Sequence, residues 1–97
     1  MAIIFEWDEA KDAQNLRKHG LSFEEAVKVF DDPHCVSELE RIESGEQRWQ
    51  TFGMVRGVVL AMVAHTWREE AGNEIVRVIS ARYAAPRERR LYEDKNG

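Results

Sequence analysis

The chain has one cysteine, two prolines and six glycines in 97 residues. A single cysteine, Cys35, excludes an internal disulfide and a multi-cysteine metal site, and it suits a cytoplasmic setting. No apolar run is long enough for a membrane span, and no basic stretch precedes an apolar one near Met1, so neither a span nor a signal peptide is expected. Gly-rich phosphate loops (G-x-G-x-x-G, G-x-x-x-x-G-K-S/T) and the G-x-S-x-G elbow are missing. The three histidines, His19, His34 and His65, have no ligand spacing, and no carboxylate cluster resembles a two-metal site, so no metal and no cofactor is expected. Repeats, low-complexity tracts and linkers are lacking as well. One domain over 1–97 follows, close to the smallest size that a single core stabilises.

Charge is abundant and unevenly placed. Eighteen acidic and fourteen basic side chains give a formal net charge of −4. Residues 1–46 hold twelve acids and five bases, whereas residues 47–97 hold six acids and nine bases, eight of them arginine. The segment EIVRVISARYAAPRERRLYE (Glu74–Glu93) carries Arg77, Arg82, Arg87, Arg89 and Arg90. Arginine's planar fork suits bidentate contact with phosphate. The acidic first half reads as a docking surface for a basic partner or as plain solvated helix.

Periodicity gives an outline β-α-α-β-β-β-β-α, an α+β fold with a mostly antiparallel sheet, two N-terminal helices and a short C-terminal helix. IIFEWD is the first strand. Asp8 caps a helix with a weak apolar stripe at Ala10, Ala13 and Leu16, stopped by Gly20. Ser22 and Glu25 form a capping box for a second helix, with Leu21 and Ala26 as its staple and Phe23, Ala26, Val27 and Phe30 as its apolar face. HCVSELERIE is a weaker strand. Arg56-Gly57 reads as a two-residue hairpin, which pairs Val55 with Val58, Arg48 with His65 and Glu46 with Trp67. In the last hairpin one register sets Arg77 opposite His65; a one-residue slip turns Ser80 and Arg82 to that face instead. Pro86 opens the final helix.

The blocks FEWDEAKDAQNLRKHGLSFEEAVKVFDDP, GEQRW and VRVISARYAAPRERRLYE occur in order from Phe5 to Tyr92. Together they resemble the BrnT toxins of bacterial type II toxin–antitoxin systems. The resemblance implies a RelE-like ribonuclease held inactive by a BrnA-like antitoxin, in a complex of two toxins and two antitoxins that reaches operator DNA only through the antitoxin. The chain departs from the family pattern at Tyr83, where lysine is common, and at Ala85, where a small hydroxyl residue is.

RNA carries its own nucleophile, the 2′-OH, so a metal-free enzyme must align it, take its proton and stabilise the crowded phosphorane. Arg48, Arg77 and Arg82 are the candidates for phosphate, with Arg68 and Lys18 behind them. Glu46 and His19 are alternatives for the general base. Ser80 and Thr66 are candidates for hydrogen bonds to phosphate or ribose, and Tyr83, Trp49 and Trp67 for base stacking, although core packing is the simpler reading of each tryptophan. His19 also suits a helix C-terminus, and His65 reads as a satisfied polar residue among core positions. A non-catalytic co-repressor or RNA-binding module is the rival reading, and a pure protein-interaction domain a third.

Overall fold

In the computed structural model, which describes residues 2–97, β1 (Ile3–Glu6) leads into α1 (Glu9–His19). Asp8 caps α1 by accepting hydrogen bonds from the backbone N–H groups of Ala10 and Lys11 at 2.8 and 3.1 Å. Gly20 ends it in the left-handed region, φ 72°, where glycine meets no Cβ penalty. The expected apolar stripe does not form the contact face: Ala10, Ala13 and Leu16 are all exposed, and the buried residue of α1 is Asn15.

The second helix is shorter than expected. It is a single turn, α2 (Phe23–Ala26), that tightens into a 3-10 segment at Val27–Asp31. Ser22 accepts from the Glu25 N–H at 3.2 Å, but Glu25 turns away to Arg56 (2.6 Å), and Asp12 of α1 takes the Phe23 N–H at 2.8 Å. The apolar face is as read from periodicity. Phe23 and Ala26 are fully buried, beside Leu21 and Val29, and Phe30 packs against them.

Four mutually antiparallel strands complete the sheet: β2 (Val36–Glu43), β3 (Glu46–Val55), β4 (Val59–Glu70) and β5 (Asn73–Tyr83). The order is β1-β5-β4-β3-β2, with β1 parallel to β5, so the sheet is mixed. All three hairpins turn on a residue–glycine pair with positive φ at both positions: Ser44-Gly45, Arg56-Gly57 and Ala71-Gly72. This is the type I′ pattern that matches strand twist.

The register differs from expectation at both later hairpins. Val55 pairs with Val59, not Val58, so Trp49 rather than Arg48 lies opposite His65. Val58 is an extra residue in the turn and is 79% exposed. Glu46 therefore does not face Trp67. In the last hairpin Glu70 pairs with Asn73, which sets Thr66 opposite Arg77 and Val78 opposite His65. Between His65 and Ala64 the partner jumps from Val78 to Ser80, so Ile79 is a β-bulge.

One sheet face carries Thr51, Val55, Ala61, Val63, Val76, Val78 and Ala81 and packs on Leu21, Phe23, Ala26 and Val29. Gly53 allows the close approach there; a Cβ would meet the Val29 carbonyl oxygen at 2.7 Å. His65 is fully buried on this face. Its Nδ1 lies 3.1 Å from the Thr66 carbonyl, which only accepts, so the ring proton sits on Nδ1. Nε2 then accepts from the Thr51 hydroxyl at 2.7 Å, which accepts from Ser37 at 2.7 Å. Phe30 and Trp67 meet the ring edge-on. His65 is thus a satisfied core histidine.

Burial pushes the His65 pKa below its ordinary 6.5. The unfolded chain then binds more protons than the folded one below pH 6.5, so this stabilisation is intact above 6.5 and is lost as pH falls. The urea midpoint is expected to drop with acidification in that window. His65→Gln should flatten it, and an unchanged slope would refute the assignment.

α3 (Pro86–Asn96) contacts β3 and is anchored at both ends. Near its start, Glu88 accepts the Ala85 N–H at 2.8 Å. Near its end, the Tyr92 hydroxyl donates to Asp32 at 2.6 Å; Asp32 also accepts the backbone N–H groups of Met54 and His34. Burial and the Asp32 carboxylate push Tyr92 up to about 12.

Candidate active site

Alternation along the strands decides which predicted residues meet. Arg48 pairs across to Arg41 on β2, Ser80 faces Ala64, Arg82 faces Met62 and Arg77 faces Thr66. Arg48, Arg77, Ser80 and Arg82 therefore share the face turned away from α1 and α2. His65, Trp49 and Trp67 are on the other face, so no row of Arg48, His65 and Arg77 exists. Both tryptophans pack edge-on against each other at 5.9 Å.

On the arginine face a cavity of about 320 Å³ is lined by Arg41, Arg48, Gln50, Met62, Ala64, Ile79, Ser80, Arg82 and Glu40. It gathers Arg48, Ser80 and Arg82 of the predicted site and adds Gln50 and Arg41. A second cavity of about 330 Å³ lies between α1 and β5, lined by Lys11, Gln14, Asn15, Lys18, His19, Ile79 and Ser80. The two share Ile79 and Ser80, so the bulge is a ridge between them. A larger cavity, about 520 Å³, lies elsewhere, beside Asp32, Met54 and Tyr92. It contains none of the predicted residues, and Asp32 and Tyr92 are already bonded to each other there.

The arginines differ in what holds them. Arg82 makes a two-pronged contact with Glu88 (2.8 and 2.9 Å) and reaches the Tyr83 carbonyl at 3.3 Å. The hydrogen bond from Arg82 holds the Glu88 carboxyl below its usual range, and Glu88 raises Arg82 in turn. Arg68 is bonded to Glu6 (2.9 Å) and Glu70 (3.2 Å), and Arg77 lies 3.8 Å from the same Glu6. The hydrogen bond from Arg68 is the main reason that Glu6 stays below its usual range. Arg77 is five residues from Arg82 along β5, roughly 16 Å at strand rise, so Arg68 and Arg77 form a separate cluster at the β1 end.

Arg48 alone among the cavity's arginines makes no hydrogen bond to the described residues. Glu43 and Glu46 stand 3.7 and 3.6 Å from its guanidinium, and its buried Nε has no partner. An unmet buried donor of this kind is costly in a resting protein.

The remaining predicted residues fall apart. Glu46 is Arg48's counter-ion. Lys18 and His19, in the last turn of α1, line the second cavity. Thr66 is buried. Tyr83 is on the core side of the sheet, where its hydroxyl donates to the Gly20 carbonyl at 3.5 Å and its ring borders a groove with Leu16 and Val58. Lys11, Gln14 and Gln50 join the two cavities without having been expected there. For the α1 residues the helical spacing of Lys11 and Lys18, with the poor helix former Asn15 between them, is the signal that could have found them.

The fold and cleft define a small α+β protein with an arginine-lined sheet face and a lysine-lined flank. Residues 7–88 match the family model described as the ribonuclease toxin BrnT of type II toxin–antitoxin systems. The chain belongs to this family. It is also similar to the 1.1 Å crystal structure of the Brucella abortus ribonuclease toxin BrnT, with 26% identity over 88% of this chain and 97% of that one, at a TM-score of 0.52. No curated protein sequence matches it. Family membership implies an antitoxin partner. No helix among the described residues is long and apolar enough to cross a membrane.

Proposed function

We propose that this chain is a metal-independent endoribonuclease in which the substrate 2′-OH attacks the adjacent phosphate in the cavity at Arg48. The single observation that supports this reading most is the Arg48 guanidinium, without a hydrogen bond to the described residues and in a cleft with Gln50 and Ser80. A phosphorane gathers negative charge on its equatorial oxygens, and a preorganised fork of N–H donors meets it without reorganisation. Gln50 and Ser80 supply neutral hydrogen bonds to phosphate or ribose. Arg82 holds α3 through Glu88 and adds positive potential to the wall. His19, across the Ile79–Ser80 ridge, is the proposed proton acceptor, and the engagement of Glu46 as a counter-ion of Arg48 supports it over Glu46. Arg68, Arg77, Thr66 and Tyr83 lie outside this constellation.

The proposed partner is a BrnA-like antitoxin, in a complex of two toxins and two antitoxins that contacts operator DNA only through the antitoxin, in the cytoplasm. Family membership supports the antitoxin; the stoichiometry rests on the resemblance alone.

The test is cleavage of a single-stranded RNA by the purified chain in EDTA, beside the same strand with deoxyribose at the cleaved position. The RNA should be cut in EDTA and the deoxy strand left whole. A requirement for a divalent metal, or cleavage of the deoxy strand, would sink the mechanism. The carboxylates that counter Arg68, Arg77 and Arg82 favour the rival reading, a binding module without catalysis. Tight RNA binding without cleavage would establish it.

A further inference from the structure

Among the described residues nine ion pairs join basic and acidic side chains, and every basic member is an arginine. Within the arginine cleft each of Arg41, Arg48 and Arg82 stands within 4 Å of a carboxylate. Across the ridge the cavity between α1 and β5 is different. Lys11 and Lys18 have no acidic partner among the described residues, and no carboxylate lines that cavity. They stand seven residues apart on α1, two turns along one helix face, with Asn15 between them. An anion entering there meets no lining carboxylate among the described residues, whereas one entering the arginine cleft competes with glutamates.

The architecture holds this cavity open. β1 pairs with β5 only as far as Arg77, and the Asn15 carboxamide occupies the edge of β5 at Ala81, donating to its carbonyl (2.9 Å) and accepting its N–H (3.1 Å). Neither the end of β1 nor this clamp extends over the bulged Ile79. The space between them, about 330 Å³, is at the small end of ligand clefts, which run to about 300–1,000 Å³. That is room for one nucleotide unit, not for a helix.

We infer that the cavity between α1 and β5 is a second RNA subsite. Lys11 and Lys18 bind the backbone phosphate of the nucleotide next to the one handled at Arg48, and the strand crosses the Ile79–Ser80 ridge between them. The subsite rests on the ribonuclease reading for the identity of its occupant, single-stranded RNA. Its two lysines bind and position the strand and take no part in the chemical step.

The test uses a fluorescent, uncleavable 2′-O-methyl RNA strand, titrated with the full chain at several salt concentrations. Every single-strand phosphate that the protein neutralises steepens the fall of log affinity with log salt by about 0.7. Lys11→Ala/Lys18→Ala should therefore bind more weakly and with a slope smaller by about 0.7, while Arg17→Ala, on α1 but outside the cavity, should match the wild type. With cleavable RNA the double variant should raise KM and leave kcat in place. Both lysines are exposed, so the melting temperature serves as the folding control. A wild-type slope in the double variant would overturn the subsite, as would an equal loss on double-stranded DNA, which would make the lysines a general anion surface. If the wild type binds with the lysine-dependent slope yet cuts no RNA, the subsite stands and the ribonuclease reading falls.

Discussion

Replacing Arg48 with alanine is expected to reduce RNA cleavage by about 10²–10³-fold, the loss typical of removing one preorganised donor from a site of developing negative charge. The same change should leave the melting temperature where it is or raise it. Arg48 makes no hydrogen bond to the described residues, its buried Nε is unmet there, and its contacts to Glu43 and Glu46 are long, 3.7 and 3.6 Å, so truncation removes little that is favourable. Arg48→Lys should give an intermediate loss, because a lysine keeps charge but not the planar fork. Arg82→Ala makes the contrast. It leaves Glu88, nearly buried at the start of α3, without its two-pronged partner, so activity and melting temperature should fall together. Activity measured beside a melt separates the two cases. Full cleavage by Arg48→Ala would move the chemistry out of this cavity.

Nothing in the sequence separates Arg48, Arg77 and Arg82 in this way; there they look equivalent. What distinguishes them is register and counter-charge. The hairpin register is obscure because the centre of VVLAMVA is buried on both faces: Leu60 and Met62 are as hidden as Ala61 and Val63. With no polar alternation, one residue of slip leaves no trace in the pattern. The turn chemistry holds part of the answer. In each hairpin a residue–glycine pair adopts positive φ, and two of them, Ser44-Gly45 and Ala71-Gly72, join directly paired flanking residues. The Arg56-Gly57 hairpin adds Val58, and β5 adds Ile79, and neither insertion has a local signature.

Other features are plain in the chain. Asp8, Gly20, Ser22 and Pro86 mark helix ends by short-range chemistry, and they appear where expected. The order of strands and helices follows from period and punctuation. The parallel pairing of β1 with β5 does not, since it joins residues some seventy positions apart. Similarly, PRE reads locally as a helix start, but Glu88's partnership with Arg82 emerges only when α3 folds back over the sheet.

Asn15→Ala is expected to destabilise the fold by about 3 kcal/mol, or about 12–24 °C in a domain this small. One carboxamide serves three backbone groups: Nδ2 donates to the carbonyls of Leu21 and Ala81 at 2.8 and 2.9 Å, and Oδ1 accepts the Ala81 N–H at 3.1 Å. Ala81 is fully buried and Leu21 nearly so, so truncation strands an N–H and two carbonyls away from water. Asn15 thus substitutes for the strand that β5 lacks beyond the end of β1, and α1 is fastened to the sheet by it instead of by an apolar stripe. Asn15→Asp tests the donor half alone. The carboxylate can still accept from Ala81 but confronts two carbonyls, and only its protonated form can donate to one of them. Its folded pKa should therefore be raised, which makes the variant gain stability as pH falls and lose it as pH rises. That is opposite in sign to the acid sensitivity from His65. Urea midpoints of the two variants across pH would show it. An Asn15→Asp variant that weakens on acidification like the wild type would mean that the donor contacts to Leu21 and Ala81 do not hold α1 in place.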